Sequence, residues 1–229
     1  MKKIIITGAN GNLGKAVIKK ITENGSYVIA LVENGAMKND IEMYANLQVE
    51  AANLMDIKET AEVISKCIEV NYKIDAAILL VGGFAMGNIY NTTVTDIAQQ
   101  VDLNFNTAYN VVQPIFQHMM KNENGRIVLI GARPALKVSA GKDTLAYTLS
   151  KSLLFKLAEC LNDEAKGKNV TVTVVVPSII DTAPNRSAMP DADFGRWVKP
   201  ESIAEVIDFV VGDSGSVIRE GILKVYSNA

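Results

Sequence analysis

The chain has 229 residues, 48% of them hydrophobic and 21% charged, with a formal net charge of −2; that is ample apolar material for a buried core. Its Lys and Arg residues are scattered and form no basic stripe, which argues against a nucleic-acid partner, and no apolar run approaches the roughly 18 residues a membrane span needs. After Met1-Lys2-Lys3 the apolar run is only Ile4 to Ile6, too short for a signal-peptide core. Cys67 and Cys160 lack metal-ligand spacing, so the expectation is a cytoplasmic protein with two buried free thiols.

In chain order, an Ile-rich strand near 3–7 runs into the turn TGANGNLG at 7–14, and a helix pattern follows over 12–24. This context turns a glycine spacing into evidence for a dinucleotide site. Gly8 permits the tight turn, Gly11 lets the backbone approach a pyrophosphate, and Gly14 lets the helix pack closely on the strand. The pyrophosphate is expected on the N–H groups of the helix N-terminus, with Asn10, Asn12 and Leu13 beside it. A second strand, 26–32, ends in Leu31-Val32-Glu33-Asn34. Glu33 is the nearby carboxylate for a ribose 2′-hydroxyl, and neither the glycine loop nor this strand end carries an arginine for a 2′-phosphate, so NAD(H) is favoured over NADP(H).

A weak helix pattern lies within 36–45, a strand at 47–51 with Asn53 just beyond it, a helix at 56–71 and a strand at 75–81 that leads to Gly82 and Gly83. Further on come a long helix over 93–121, a strand at 125–131, a helix at 145–166, a strand at 170–176, a helix at 200–211 and a strand at 221–226. Regular alternation of strand and helix predicts an α/β doubly wound parallel sheet of about seven strands with helices on both faces. Without a linker or repeat to divide it, residues 1–229 are expected to form one domain.

Tyr147 and Lys151 form a Tyr-x-x-x-Lys pair at the start of the helix pattern at 145–166, and i, i+4 spacing sets both on one face. A cation one turn from a phenol favours the phenolate and is expected to draw the tyrosine pKa toward the working range. Asn104 stands inside the long helix pattern, where asparagine is a weak helix former, and on residue type alone its side chain is expected to bind a backbone carbonyl. His118, the only histidine, reads as a solvated helix residue, and without a second histidine no metal site is expected. The segment PSIIDTAPNRSAMPDADFGRW at 177–197 reads as a substrate loop, with a movable lid at about 183–199.

These motifs together resemble the short-chain dehydrogenase/reductase family over essentially the whole chain. The resemblance implies an NAD(P)H-dependent oxidoreductase with Tyr147 as proton donor, Lys151 beside it and on the cofactor, and Asn104 holding a water in the proton relay. It also implies that Gly82, Gly83, Asn53, Pro177, Ile180 and Thr182 contact the cofactor, Thr182 at the nicotinamide carboxamide. Two departures stand out: Val32 occupies the position of the family's NAD-binding aspartate, and Ala132 the position of its catalytic serine. Ser139, further along the same loop, is the alternative hydroxyl. Within the family, segments 79–88 and 177–197 are similar to those of dihydropteridine reductases, which also lack that serine. The expected substrate is accordingly a quinonoid dihydropterin or a similar planar conjugated ring, with Phe84 and Trp197 either walling it or packing the lid. Arg186 either meets its polar edge or pairs with Asp191 or Asp193. A generic carbonyl reductase and a non-catalytic dinucleotide sensor are the alternatives. Family members commonly pair the helices that correspond to 93–121 and 145–166, so a homodimer or homotetramer is expected.

Overall fold

A computed structural model describes residues 1–137, 139 and 141–228. Seven strands, β1 (Lys3–Thr7), β2 (Tyr27–Val32), β3 (Leu47–Ala51), β4 (Ala76–Leu79), β5 (Asn124–Ile130), β6 (Asn169–Pro177) and β7 (Ile222–Val225), form one sheet in the order β3-β2-β1-β4-β5-β6-β7. Every pairing is parallel. The strand order reverses between β1 and β4, and in such sheets the crevice beyond the carboxyl ends of the strands at this switch point receives the ligand.

Parallel strands covered on both faces should be apolar throughout rather than alternating, and β1, β2 and β4 are buried along nearly their whole length. Helices α1 (Asn12–Glu23) and α8 (Pro200–Val211) cover one face through Val17, Ile21, Ile203 and Ile207. The other face is covered by α2 (Ile57–Asn71), α4 (Thr107–Lys121) and α6 (Leu145–Glu164), through Ile64, Ile115 and Leu154.

The predicted helix over 93–121 is interrupted. It divides into α3 (Val94–Val101), a π-helical turn at Asp102–Asn106, and α4. Its start is fixed by a capping box between Thr93 and Asp96, whereas the π-turn leaves no mark on the apolar period. The weak pattern at 36–45 is a 3-10 turn at Gly35–Asp40, capped by the Asn34 side chain. Two short helices, α5 (Arg133–Leu136) and α7 (Ala183–Ala188), have no counterpart among the predicted elements.

Two side-chain expectations change. Cys67 is buried, and burial raises its thiol to about 11, but Cys160 is exposed on α6. His118 is partly buried, not solvated: its Nε2 accepts the Ile74 N–H at 3.2 Å, and burial lowers its pKa. Among the described residues no group of His, Cys, Asp or Glu has metal-binding geometry, and no helix is long and apolar enough to cross a membrane.

Candidate active site

The glycine turn is built as its spacing demands. Gly8 lies at φ +62°, and a Cβ there would sit 3.0 Å from the Val81 nitrogen, so β1 turns directly against the end of β4. A Cβ on Gly14 would lie 2.3 Å from the Gly8 oxygen, which only the absence of a side chain avoids. Gly11 is the N-cap of α1 and offers no side chain to the helix end, nor does the first turn hold an acid. The N–H groups that a Ser or Asp cap would occupy are thus left for a ligand.

Glu33, Asn53, Gly8, Asn10, Gly11 and Gly82 line one cleft across the ends of β1, β2, β3 and β4. Glu33 is exposed at its rim, and Leu103 and Thr107 close the far wall. Asn12 and Thr182 line a neighbouring cavity on the other side of the α1 N-terminus. Leu13 packs against the core cluster, and Pro177 ends β6 in register with Val225. Ile180 bridges to Val198, and its oxygen accepts the Asn185 side chain. Thr182 is the N-cap of α7, with its hydroxyl accepting the Asn185 N–H at 3.3 Å.

Asn104 and Lys151 meet beneath the turn after β4. A Cβ on Gly82 would lie 2.7 Å from Asn104 Oδ1 and 3.1 Å from Lys151 Nζ, so the glycine is needed for both side chains to converge there. Asn104, fully buried in the π-turn, accepts the Gly83 N–H at 3.0 Å and donates to the Gly83 oxygen at 3.1 Å. Insertions of this kind recur at functional sites because they redirect one side chain without ending the helix. Lys151 donates to the Ile130 oxygen at 2.9 Å, which sets it beside the end of β5. Burial draws its pKa down to about 8. Tyr147, one turn before it, retains some exposure and meets the Phe84 ring edge-on at 5.1 Å.

The tyrosine pKa is a correction. Burial raises it to about 12, opposite to the expected lowering. Loss of water around the phenol is the cause, and the Lys151 ammonium is engaged by the Ile130 carbonyl instead. Tyr147 is thereby fixed as the protonated, donating form at neutral pH.

Ala132 is buried two residues beyond Ile130, with no hydroxyl at this position, and Ser139 is exposed. Phe84 is 62% exposed, free to meet a ligand. Trp197 and Arg186 are not so placed. Trp197 is buried and packs on Phe194, with centroids 4.8 Å apart, as a lid anchor and not a wall. Arg186 pairs with neither Asp191 nor Asp193; it grips Asp181 through two bonds of 2.6 and 2.8 Å and lies over the Phe194 ring. Asp181 lies five residues before it, across the α7 N-terminus and just outside the lid at 183–199. Gln100 and Ser150, both buried and both bonded to Asn104, are site residues that the motifs do not flag.

A parallel sheet whose first turn frees a helix N-terminus at the switch point, with a tyrosine, lysine and asparagine gathered at the same edge, defines a dinucleotide-dependent oxidoreductase. The model of the short chain dehydrogenase family matches residues 2–193; the chain belongs to that family, whose members use NAD or NADP. A 3-oxoacyl-[acyl-carrier-protein] reductase of Buchnera aphidicola is 26% identical over 96% of this chain and 93% of its own length. An acetoacetyl-CoA reductase of an Acinetobacter strain is 22% identical over 98% and 96%. Among solved structures, ElxO with NADP bound superposes with a TM-score of 0.90 at 20% identity, over 98% of this chain and 96% of that one.

Proposed function

We propose that this protein is a one-domain reductase that uses NADH to reduce a planar conjugated acceptor of the quinonoid dihydropterin kind. The single observation behind that substrate class is Ala132. A ketone reductase gains from a hydroxyl that fixes the carbonyl oxygen, and here the loop after β5 supplies a buried methyl. A flat ring with delocalised charge needs an aromatic wall instead, and Phe84 stands exposed against Tyr147. A second reading, a carbonyl reductase, is favoured by the names of the relatives given above, both reductases of thioester-borne ketones. The relatives support this second reading better than the pterin reading, which rests on the site residues alone.

The residues present suit a nicotinamide dinucleotide: the uncapped α1 N-terminus for its pyrophosphate, Glu33 for the adenosine ribose, and the backbone of Gly82 on the wall of the same cleft. When bound, it supplies the hydride. Tyr147 donates the proton from its hydroxyl to the reduced atom. Lys151, charged below about pH 8, stabilises the phenolate that remains and holds the nicotinamide ribose. Asn104 holds the water that returns a proton to Tyr147 Oη. Thr182 orients the carboxamide, with Pro177 and Ile180 shaping its pocket. The lid at 183–199, latched at its base by Asp181–Arg186, excludes water. Glu33 disfavours a 2′-phosphate by charge, in contrast to the NADP bound in ElxO.

Ala132→Ser tests the substrate argument. The added hydroxyl is expected to raise kcat/KM for simple ketones about tenfold, the worth of one hydrogen bond made in the transition state, without gain on the pterin. Equal ketone turnover before and after the change would count against it. Self-association through α4 and α6 is proposed as well, because Tyr109, Leu149 and Leu153 are partly exposed there. Size-exclusion chromatography should give at least a dimer, and a monomer at micromolar concentration would contradict that.

A further inference from the structure

We propose that Gln100 and Ser150 are positioning residues for the reaction, holding the Asn104 amide in the one orientation that turns its oxygen toward Lys151. The inference rests on the catalytic reading of Asn104 and deepens it.

The orientation follows from bonding alone. The Gly83 N–H can only donate, so the atom of Asn104 that it meets at 3.0 Å must be the oxygen. The amide nitrogen then faces the opposite side, where it has three acceptors: the Gly83 oxygen at 3.1 Å, Gln100 Oε1 at 3.1 Å and Ser150 Oγ at 3.2 Å. Gln100, four residues before Asn104 and across the junction of α3 with the π-turn, must present its own oxygen. Ser150 accepts from Asn104 and passes its hydrogen to the Tyr147 backbone oxygen at 2.8 Å. A continuous chain of bonds therefore runs from α3 through Asn104 to the turn of α6 that carries Tyr147 and Lys151.

Gln100 and Asn104 are buried, so an amide that turned over would set donor against donor at Gly83. Gly83 meets both ends of the amide, its N–H at the oxygen and its carbonyl at the nitrogen, and Gln100 and Ser150 add the side-chain acceptors that hold the nitrogen. A side chain with the shape of glutamine but no oxygen would keep the packing of α3 while losing that restraint.

The test is a double-mutant cycle on the intact enzyme with NADH and its best acceptor. Gln100→Met is expected to lower kcat about tenfold, the loss of one buried hydrogen bond expressed in the transition state, with KM for NADH unchanged and only a small fall in Tm. In an Asn104→Ala background the same change should have no further effect on kcat, because the group it positions is gone. Ser150→Ala should show the same dependence on Asn104, and it carries the test alone if Gln100→Met does not fold. Wild-type kcat in both single variants, or losses that simply multiply with that of Asn104→Ala, would overturn the proposal. Wild-type kcat in Asn104→Ala itself would overturn the catalytic reading of Asn104 beneath it.

Discussion

Tyr147→Phe is expected to bind NADH as the wild type does and to lose kcat by about 10²- to 10⁴-fold, the range that a positioned general acid contributes. The phenylalanine ring preserves the edge contact with Phe84, so packing on that side changes little. Burial holds the phenol near 12, which keeps it protonated over the whole working range. Removal of the hydroxyl therefore deletes a donor and alters no charge in the resting enzyme. Transient kinetics with NADH and acceptor, alongside a fluorescence titration of NADH alone, separate the two effects. Turnover within threefold of wild type would remove Tyr147 from the chemistry.

Lys151 carries the second large effect, and its sign differs between activity and stability. Its pKa is lowered from 10.5 to about 8 by burial, so the folded protein binds fewer protons than the unfolded chain between those values. Stability should accordingly rise with pH across that window. Below about pH 8 the folded state carries the full cost of a buried ammonium, about 3 kcal/mol for a displacement of that size. Lys151→Met removes the charge but also the bond to the Ile130 oxygen, a loss of about 1 kcal/mol. The net expectation at pH 7 is a gain of roughly 1–2 kcal/mol in unfolding free energy with a severe loss of turnover. In the wild type, kcat/KM for reduction should fall as pH rises through about 8 and the ammonium is lost. Lys151→Arg should abolish that limb, since guanidinium stays charged. Chemical denaturation and a pH–rate profile read the two sides. A Lys151→Met variant both less stable and equally active would contradict both.

The sheet was legible because its evidence is local: an Ile-rich strand, a glycine turn and a helix in direct succession, then apolar runs at regular intervals. The Tyr147 and Lys151 pair was legible for the same reason, since one helical turn joins them. What lay beyond reach was set by contacts distant in sequence. Asn104 and Lys151 converge only because Gly82, from a third segment, leaves room for both. Ser150 reaches Asn104 across 46 residues. The π-turn at 102–106 hides inside an apolar period that continues on either side of it. The direction of the Tyr147 shift is not legible in the sequence, because spacing reveals the neighbouring charge and conceals the burial that sets it. Residue type leaves Trp197 open between a substrate wall and lid packing, and the return of the chain at Val198 to the Ile179 oxygen decides for packing by drawing it inward.

The most direct test is NADH oxidation by the purified protein, in parallel with NADPH, using quinonoid dihydropterin beside a panel of ketones, aldehydes, quinones and 3-oxoacyl thioesters. The proposed chemistry predicts turnover of the pterin with NADH, well above any thioester-borne ketone. Preference for 3-oxoacyl thioesters with NADPH would contradict both the substrate reading from Ala132 and the cofactor reading from Glu33.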